Sequence, residues 1–372
     1  MTQDPGPANW LQLTLTPGLG NSSIRGMLRQ FGLPQAILAR KHTELAVFAA
    51  PAALEAMRSD AVQRAVAHAL EWLAQPGNRL ITLADESYPG MLLEIPDPPP
   101  VLYARGRAEL LQRPALAIVG SRNATAQGTA NAESFARSLS DAGLTIVSGL
   151  ALGIDGAAHR GGLAGAASTI AVLGTGLDVV YPRRNAELAA EIAGRGLLIS
   201  EFALGSGAVA HNFPRRNRLI SGLAQGCLVV EAALSSGSLI TARAAADQGR
   251  EVFAVPGSIH SPLSKGCHAL IKSGAKLVES AEDVLAELAG FRASGYASTT
   301  TQTSAAASAP SPAASGLLEH MGHDPVDVDS LCTRAGMSAE QVSSELLRLE
   351  LAGRVTALPG GLFQRLEKGT RG

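Results

Sequence analysis

A chain of 372 residues with 46% hydrophobic and 17% charged residues carries enough apolar material for a large core, which excludes a fibrous or wholly disordered protein. Its formal net charge of −1 excludes recruitment of a polyanion by a global positive field, so any anion site has to be local. The opening "MTQDPGPANW" lacks a charged-then-apolar leader pattern and no apolar run reaches membrane-spanning length, so a soluble cytoplasmic protein is expected. Cys227, Cys267 and Cys332 lie far apart without metal-ligand spacing, and free thiols with no metal and no cofactor are expected.

Residues 8–75 carry Leu, Ile, Met and Ala at three- and four-residue spacing, which predicts an all-helical unit over 1–79. Within it, "TPGLGNSSIRGMLRQFG" places Pro17, Gly18 and Gly20 in a tight turn between two helices. Two readings fit that turn: a phosphate-approaching Gly-x-Gly as in helix-hairpin-helix modules, or a plain helical hairpin. The lack of a flanking lysine cluster favours the second.

From residue 80 the texture changes. "YPGMLLEIPDPPPVLYARG" is a proline-rich strap that ends in a short strand, 101–103. Apolar β-type runs then alternate with helix-length segments: "LAIVGS" (116–121), "LTIVSG" (144–149), "TIAVLG" (169–174), "LLIS" (197–200), "CLVVEA" (227–232), "VFAVPG" (252–257) and "AKLVES" (275–280). Such runs are parallel strands covered on both faces, so a doubly wound, Rossmann-like α/β domain is predicted over 80–290. An Ala/Ser/Thr/Pro tract predicts a disordered linker over 291–315. Residues 316–372 then read as helices followed by a hairpin around Pro359-Gly360-Gly361, a winged helix. The would-be recognition helix, "SAEQVSSELLRLELAG", has three glutamates and one arginine. That charge favours a protein partner over duplex DNA.

In open parallel sheets ligands bind at the carboxyl ends of the strands. Four such ends are glycine- or hydroxyl-rich here: "VGSRNAT" (119–125), "SGLALGID" (148–155), "GTGLDVVYP" (174–182) and "SSGSLITA" (235–242). None carries a dinucleotide or P-loop fingerprint, yet together they predict a broad phosphate-binding edge. Asp155 and His159, four apart at a helix start, read either as an acid–base or metal pair, or as a helix cap and a histidine packed under the loop. The absence of a third metal ligand favours the latter. Glu201 and Glu231 end neighbouring strands and read as acceptors for loop amides.

The stretch "HNFPRRNRLISGLAQGCLVVEA" (211–232) concentrates Arg215, Arg216 and Arg218 around Phe213 and Asn217. Single-strand binders pair a cationic track for the backbone with an aromatic platform for the bases. Phe213 supplies the platform in this reading, the arginines the track, and Asn217 an amide partner. At least one arginine is expected to brace Glu201 or Glu231 instead. An enzyme on the same architecture, a nucleotide phosphoribohydrolase, is the alternative. Its glycine-rich loop is followed by a catalytic glutamate, whereas no acid follows in "SSGSLITARAAA".

The blocks "PDPPPVLYARG", "VGSRNAT", "VSGLALGIDGAAHRGGL", "FPRRNRLISGLA", "EAALSSGSLITARAAADQGREVFAVPG" and "LIKSGA", in this order over about 80–280, resemble the DprA/Smf family of DNA-processing proteins. The resemblance implies a non-enzymatic homodimer that binds and protects incoming single-stranded DNA and helps load RecA recombinase during natural transformation. It implies a sterile-alpha-motif-like N-terminal domain and a C-terminal winged helix. Carried over, Gly120, Ser121 and Arg122 hold a phosphate, and Ser148 and Gly149 line the same groove. Phe213, Arg215, Arg216, Asn217 and Arg218 form the core DNA site, which Ser236, Gly237, Ser238 and Lys265 complete. Leu270 and Ile271 are assigned to the dimer interface. One departure is Cys267-His268, where the family has a small residue followed by Asn.

Overall fold

Val, Ile and Leu runs too short for helices and apolar on both faces form the inner strands of one sheet. In the computed structural model, which describes residues 6–288, 312–322 and 325–366, these strands are β1 (Asn78–Thr82), β2 (Val101–Gly106), β3 (Ala115–Val119), β4 (Thr145–Ser148), β5 (Thr169–Val172), β6 (Leu197–Ser200), β7 (Gly226–Val229), β8 (Glu251–Ala254) and β9 (Lys276–Leu277). They order as β1-β2-β6-β5-β4-β3-β7-β8-β9. The run from β6 to β9 is parallel throughout, and β1 and β2 add antiparallel at one edge. Strand order reverses at β3, which lies between β4 and β7, and this reversal opens a crevice at the carboxyl ends of β3 and β7.

Alternation along the strands feeds two helical layers. Ala117, Val119, Cys227 and Val229 face the helices Asn212–Gly222 and Ser238–Asp247. Leu116, Ile118, Ile146 and Leu228 face the helices Ala126–Asp141 and Ile154–Ala164. Every residue of β3 through β7 is buried, as expected for a sheet covered on both faces. The doubly wound prediction holds.

The helices between Pro7–Thr14 and Asp60–Leu73 form the predicted N-terminal unit, with its own cluster around Leu13, Ile24, Met27, Ile37 and Leu54. It also shares a core with the sheet: Trp10, Val66 and Trp72 pack with Val101, Tyr103 and Leu198, and Trp72 meets Tyr103 edge-on at 5.9 Å. The expected boundary at 79/80 falls inside β1, a strand that the sequence reading missed.

Of the expected linker, residues 291–311 lie outside the described residues, and positions 312–315 already belong to the helix Pro312–Met321. That helix, Val328–Ala335 and Ala339–Leu351 surround Leu317, Leu331, Val342 and Leu346. With β10 (Val326–Asp327), β11 (Val355–Leu358) and β12 (Leu362–Arg365), ordered β10-β12-β11, they make the predicted winged helix. Ser338 and Gln341 close a capping box at the start of the would-be recognition helix, which leaves Leu347 and Leu351 exposed. Among the described residues, no helix is long and apolar enough to cross a membrane.

Candidate nucleic-acid interface

The crevice is a cleft of about 740 Å³ in which several loops meet the helix Asn212–Gly222. From the loop after β3 come Gly120, Ser121 and Arg122; from the loop after β7 and the helix start beyond it come Ser236, Gly237 and Ser238. The helix Asn212–Gly222 contributes Phe213, Arg216 and Asn217. The cleft therefore joins nine of the residues expected at the DNA site.

Backbone bonds across the switch point fix the first loop, since Ser121 N–H donates to Glu231 O at 2.7 Å. The Glu231 carboxylate accepts from Thr125 N–H at 3.0 Å and from Thr125 Oγ1–H at 2.5 Å, and Thr125 in turn caps the helix Ala126–Asp141. Glu231 is thus the structural acceptor that its strand-end position predicted. On this scaffold the exposed Arg122 lays its guanidinium 5.7 Å from the centroid of Phe213. A free cation beside an aromatic face is the pairing a single strand needs.

Ser148 and Gly149 correct an expectation: both are buried and neither lines the cleft. Ser148 Oγ–H donates to Ile118 O at 2.6 Å, and a Cβ on Gly149 would stand 2.6 Å from the Arg216 guanidinium. The β4 loop packs against the β3 loop and supports it, with Ala151 and Asp155 reaching the cleft. Gly153, at φ 73°, makes that support possible, because a Cβ there would collide with Ser121 O.

Leu150, at φ 57° in the left-handed region, is held from beneath. Its N–H donates to His159 Nε2 at 3.2 Å, and His159 Nδ1 lies 2.7 Å from Thr169 Oγ1. Thr169 Oγ1 donates to Ile146 O, so Nδ1 carries the imidazole proton. Burial, with Arg216 and Arg160 adding repulsion, pushes the His159 pKa down to about 3. Asp155 Oδ2 accepts from Gly149 N–H at 3.2 Å and Ala151 N–H at 3.4 Å, and burial raises its pKa against the pull of Arg216. Of the two readings for this pair, the geometry matches a loop brace. Among the described residues no group of His, Cys, Asp or Glu could hold a metal ion.

The three arginines of the basic stretch separate by helix phase. Positions 212, 216, 219 and 220 face the sheet, so Arg216 is only 4% exposed. It donates from Nη1 to Gly149 O at 2.7 Å and to Val172 O, and from Nε to Asn217 Oδ1 at 3.1 Å. Burial, with Arg122 nearby, pulls its pKa down to about 10, opposed by Asp155. Arg218, its side chain 17% exposed, pairs with Glu201 at 2.5 Å and Asp97 at 3.4 Å. Arg216 and Arg218 are therefore braces: Arg218 holds a strand-end glutamate, as expected of at least one of the three, and Arg216, assigned to the track, holds backbone carbonyls instead. Arg215 is the open one at 54%, although it leans over Phe202, 3.8 Å from Glu201, and stays outside the cleft. Lys265 is exposed at the start of the helix Lys265–Lys272 and also stays outside.

Asp97 and Glu201 resolve the N-terminal turn as well. Arg25 pairs with Asp97 at 2.5 Å, and Asn21 Nδ2–H donates to Asp97 and Glu201. The helix start after Gly20 thus faces carboxylates, an arrangement that repels phosphate and fits the plain hairpin. In the departing dipeptide, Cys267 is fully buried with Sγ 3.6 Å from Val229 O, and burial pushes its pKa up to about 12. His268 Nε2 lies 3.0 Å from Gly257 O. Leu270 and Ile271, assigned to a dimer interface, are partly buried against this molecule's own core.

Among the cleft residues that the sequence reading left unassigned, one is an aromatic. Tyr181, 47% exposed, has its ring 5.6 Å from that of Phe213. The signal was present, since "YPRRN" at 181–185 nearly repeats "FPRRN" at 213–217.

Comparison with known proteins agrees with this geometry. The family model described as DNA recombination-mediator protein A matches residues 79–289, and the DprA winged helix domain model matches 301–361. Protein Smf of Escherichia coli is 45% identical over 82% of each chain. DNA processing protein DprA of Streptococcus pneumoniae is 49% identical over 55% of this chain and 73% of that protein. The X-ray structure of the Streptococcus pneumoniae protein superposes with a TM-score of 0.68 at 39% identity, covering 75% of this chain and 97% of that one. A Helicobacter pylori DprA structure, titled for its single-stranded DNA binding mode, gives a TM-score of 0.51 at 30% identity over 56% and 95% of the chains. With a family model matched over more than half of its length and the Escherichia coli relative this similar, the chain belongs to the DprA/Smf family of DNA-processing proteins.

Proposed function

We propose that this protein binds single-stranded DNA in the switch-point cleft, shields it, and helps load RecA recombinase during natural transformation in the cytoplasm. The observation that carries the reading is the exposed Arg122 stacked beside Phe213 among hydroxyls and a helix N-terminus. A binding role without catalysis is supported by the engagement of Asp155 Oδ2 by the Gly149 and Ala151 amides and of both His159 ring nitrogens by Leu150 N–H and Thr169. The winged helix fits a protein partner, because its would-be recognition helix exposes Leu347 and Leu351 among acids.

The test is a salt titration of oligonucleotide binding. Each phosphate contact contributes about −0.7 to the slope of log affinity against log salt for a single strand. Arg122→Ala is expected to weaken binding and flatten the slope by about that amount. Phe213→Ala is expected to cost about 1–3 kcal/mol of affinity at unchanged slope, since a lost base stack releases no ions. A chain ended at residue 292 is expected to keep most of its affinity. If neither substitution changes affinity or slope, the cleft is not the DNA site. Turnover of nucleoside monophosphates by the wild type would return the phosphoribohydrolase reading.

The homodimer is proposed to form through 267–280, where β9 is the last strand of the sheet and exposes Leu277 by 50%. Leu277→Glu is then expected to shift the sedimentation coefficient from dimer to monomer. An unchanged dimer would place the interface elsewhere.

A further inference from the structure

We infer that the cleft continues into a second single-strand subsite built from Tyr181, Arg183 and Arg184; the inference rests on the single-stranded DNA reading above. The sequence holds two aromatic-Pro-Arg-Arg-Asn pentads, Tyr181 to Asn185 and Phe213 to Asn217, and the fold brings their aromatic rings to 5.6 Å. The ring planes meet at 44°, so neither covers the other and Tyr181 keeps 47% of its surface in solvent.

Each pentad gives one polar residue to the same loop. Arg216 donates to Gly149 O, while Asn185 Nδ2–H donates to Leu150 O at 2.9 Å and to Ala151 O at 3.0 Å. The two pentads are thereby fixed to one support, the 149–151 segment. What each leaves over differs. In the first, Arg216 is spent as the brace and the neighbouring cation over Phe213 is Arg122. In the second, Asn185 is the brace and both arginines remain exposed, with no ion pair or side-chain hydrogen bond among the described residues. The nearest acid before them in the chain, Asp178, is engaged by Gly205 N–H at 2.8 Å. A half-exposed ring followed by two unpartnered guanidinium groups repeats the pairing of platform and track one step along the strand.

Two fluorescent oligothymidylates, about 6 and about 16 nucleotides long, separate the subsites when titrated against the full chain over a salt series. On the long probe, Tyr181→Ala is expected to lower affinity roughly 5- to 150-fold at constant slope. Arg183→Ala combined with Arg184→Ala is expected to flatten the slope by about 1.4, two contacts' worth. On the short probe, seated at Arg122 and Phe213, these changes are expected to stay within about twofold. Tyr181→Phe, which keeps the ring, is expected to bind as the wild type does. Equal losses on both probes would show that Tyr181 only props Phe213 and would overturn the subsite, as would no loss on the long probe. Phe213→Ala is the control: if it too is without effect at either length, the cleft reading itself fails, and the two failures are told apart.

Discussion

Arg216→Ala is expected to lower the unfolding free energy by about 3–5 kcal/mol, the scale for removing one member of a buried charged network. The guanidinium holds Gly149 O and Val172 O from beneath the cleft and orients the Asn217 amide. Its loss leaves two buried carbonyls without donors and Asp155 without its neutralising neighbour. Arg216→Lys is expected to recover only part of this, because one ammonium cannot reproduce the planar fork that serves both carbonyls. Urea midpoints measure the effect. Under conditions where the variant stays folded, the salt slope of DNA binding is expected to match the wild type. A normal midpoint with a slope flattened by about 0.7 would make Arg216 a phosphate contact after all.

That expectation reverses the one drawn from the basic stretch and the family resemblance, and the reversal shows what kind of information was legible. The strands were readable because buried parallel strands need unbroken apolar runs, and β2 to β9 all lie at or beside such runs. β1 was not readable: "NRLIT" has two polar residues at its start and becomes a strand only by pairing Leu80 with Tyr103. The basic stretch announced an anion site, but which arginine faces it depends on helix phase and on acids distant in sequence. Position 216 shares a stripe with Leu219 and Ile220, a periodicity that was present in the sequence. The pairing of Arg218 with Asp97, from the proline strap, was not. Likewise the glycines of 148–153 read as a phosphate loop, whereas they allow close approach by Arg216 and by the β3 loop. Glycine marks closeness without saying to what.

The pH dependence of stability is expected to report His159. Its neutral ring accepts from Leu150 N–H and meets Thr169, and the imidazole is fully buried with its pKa pushed from 6.5 down to about 3. A histidine whose folded pKa lies below its unfolded value stabilises the protein fully above pH 6.5, and the contribution is lost as pH falls toward 3, because the unfolded chain binds the proton first. The loss runs at about 1.4 kcal/mol per pH unit, so it reaches about 2 kcal/mol at pH 5. The raised carboxyls of Asp155 and Glu201 act in the opposite sense, contributing less as pH rises through their folded values. They are common to the wild type and to His159→Gln, so the difference between the two isolates the imidazole. Glutamine can accept from Leu150 N–H and donate to Thr169 without titrating. Urea unfolding at pH 7.5 and pH 5 is therefore expected to show the wild type losing about 2 kcal/mol more than His159→Gln. Parallel losses would mean that the ring is protonated in the folded protein, and that the left-handed turn at Leu150 is held by Asn185 alone.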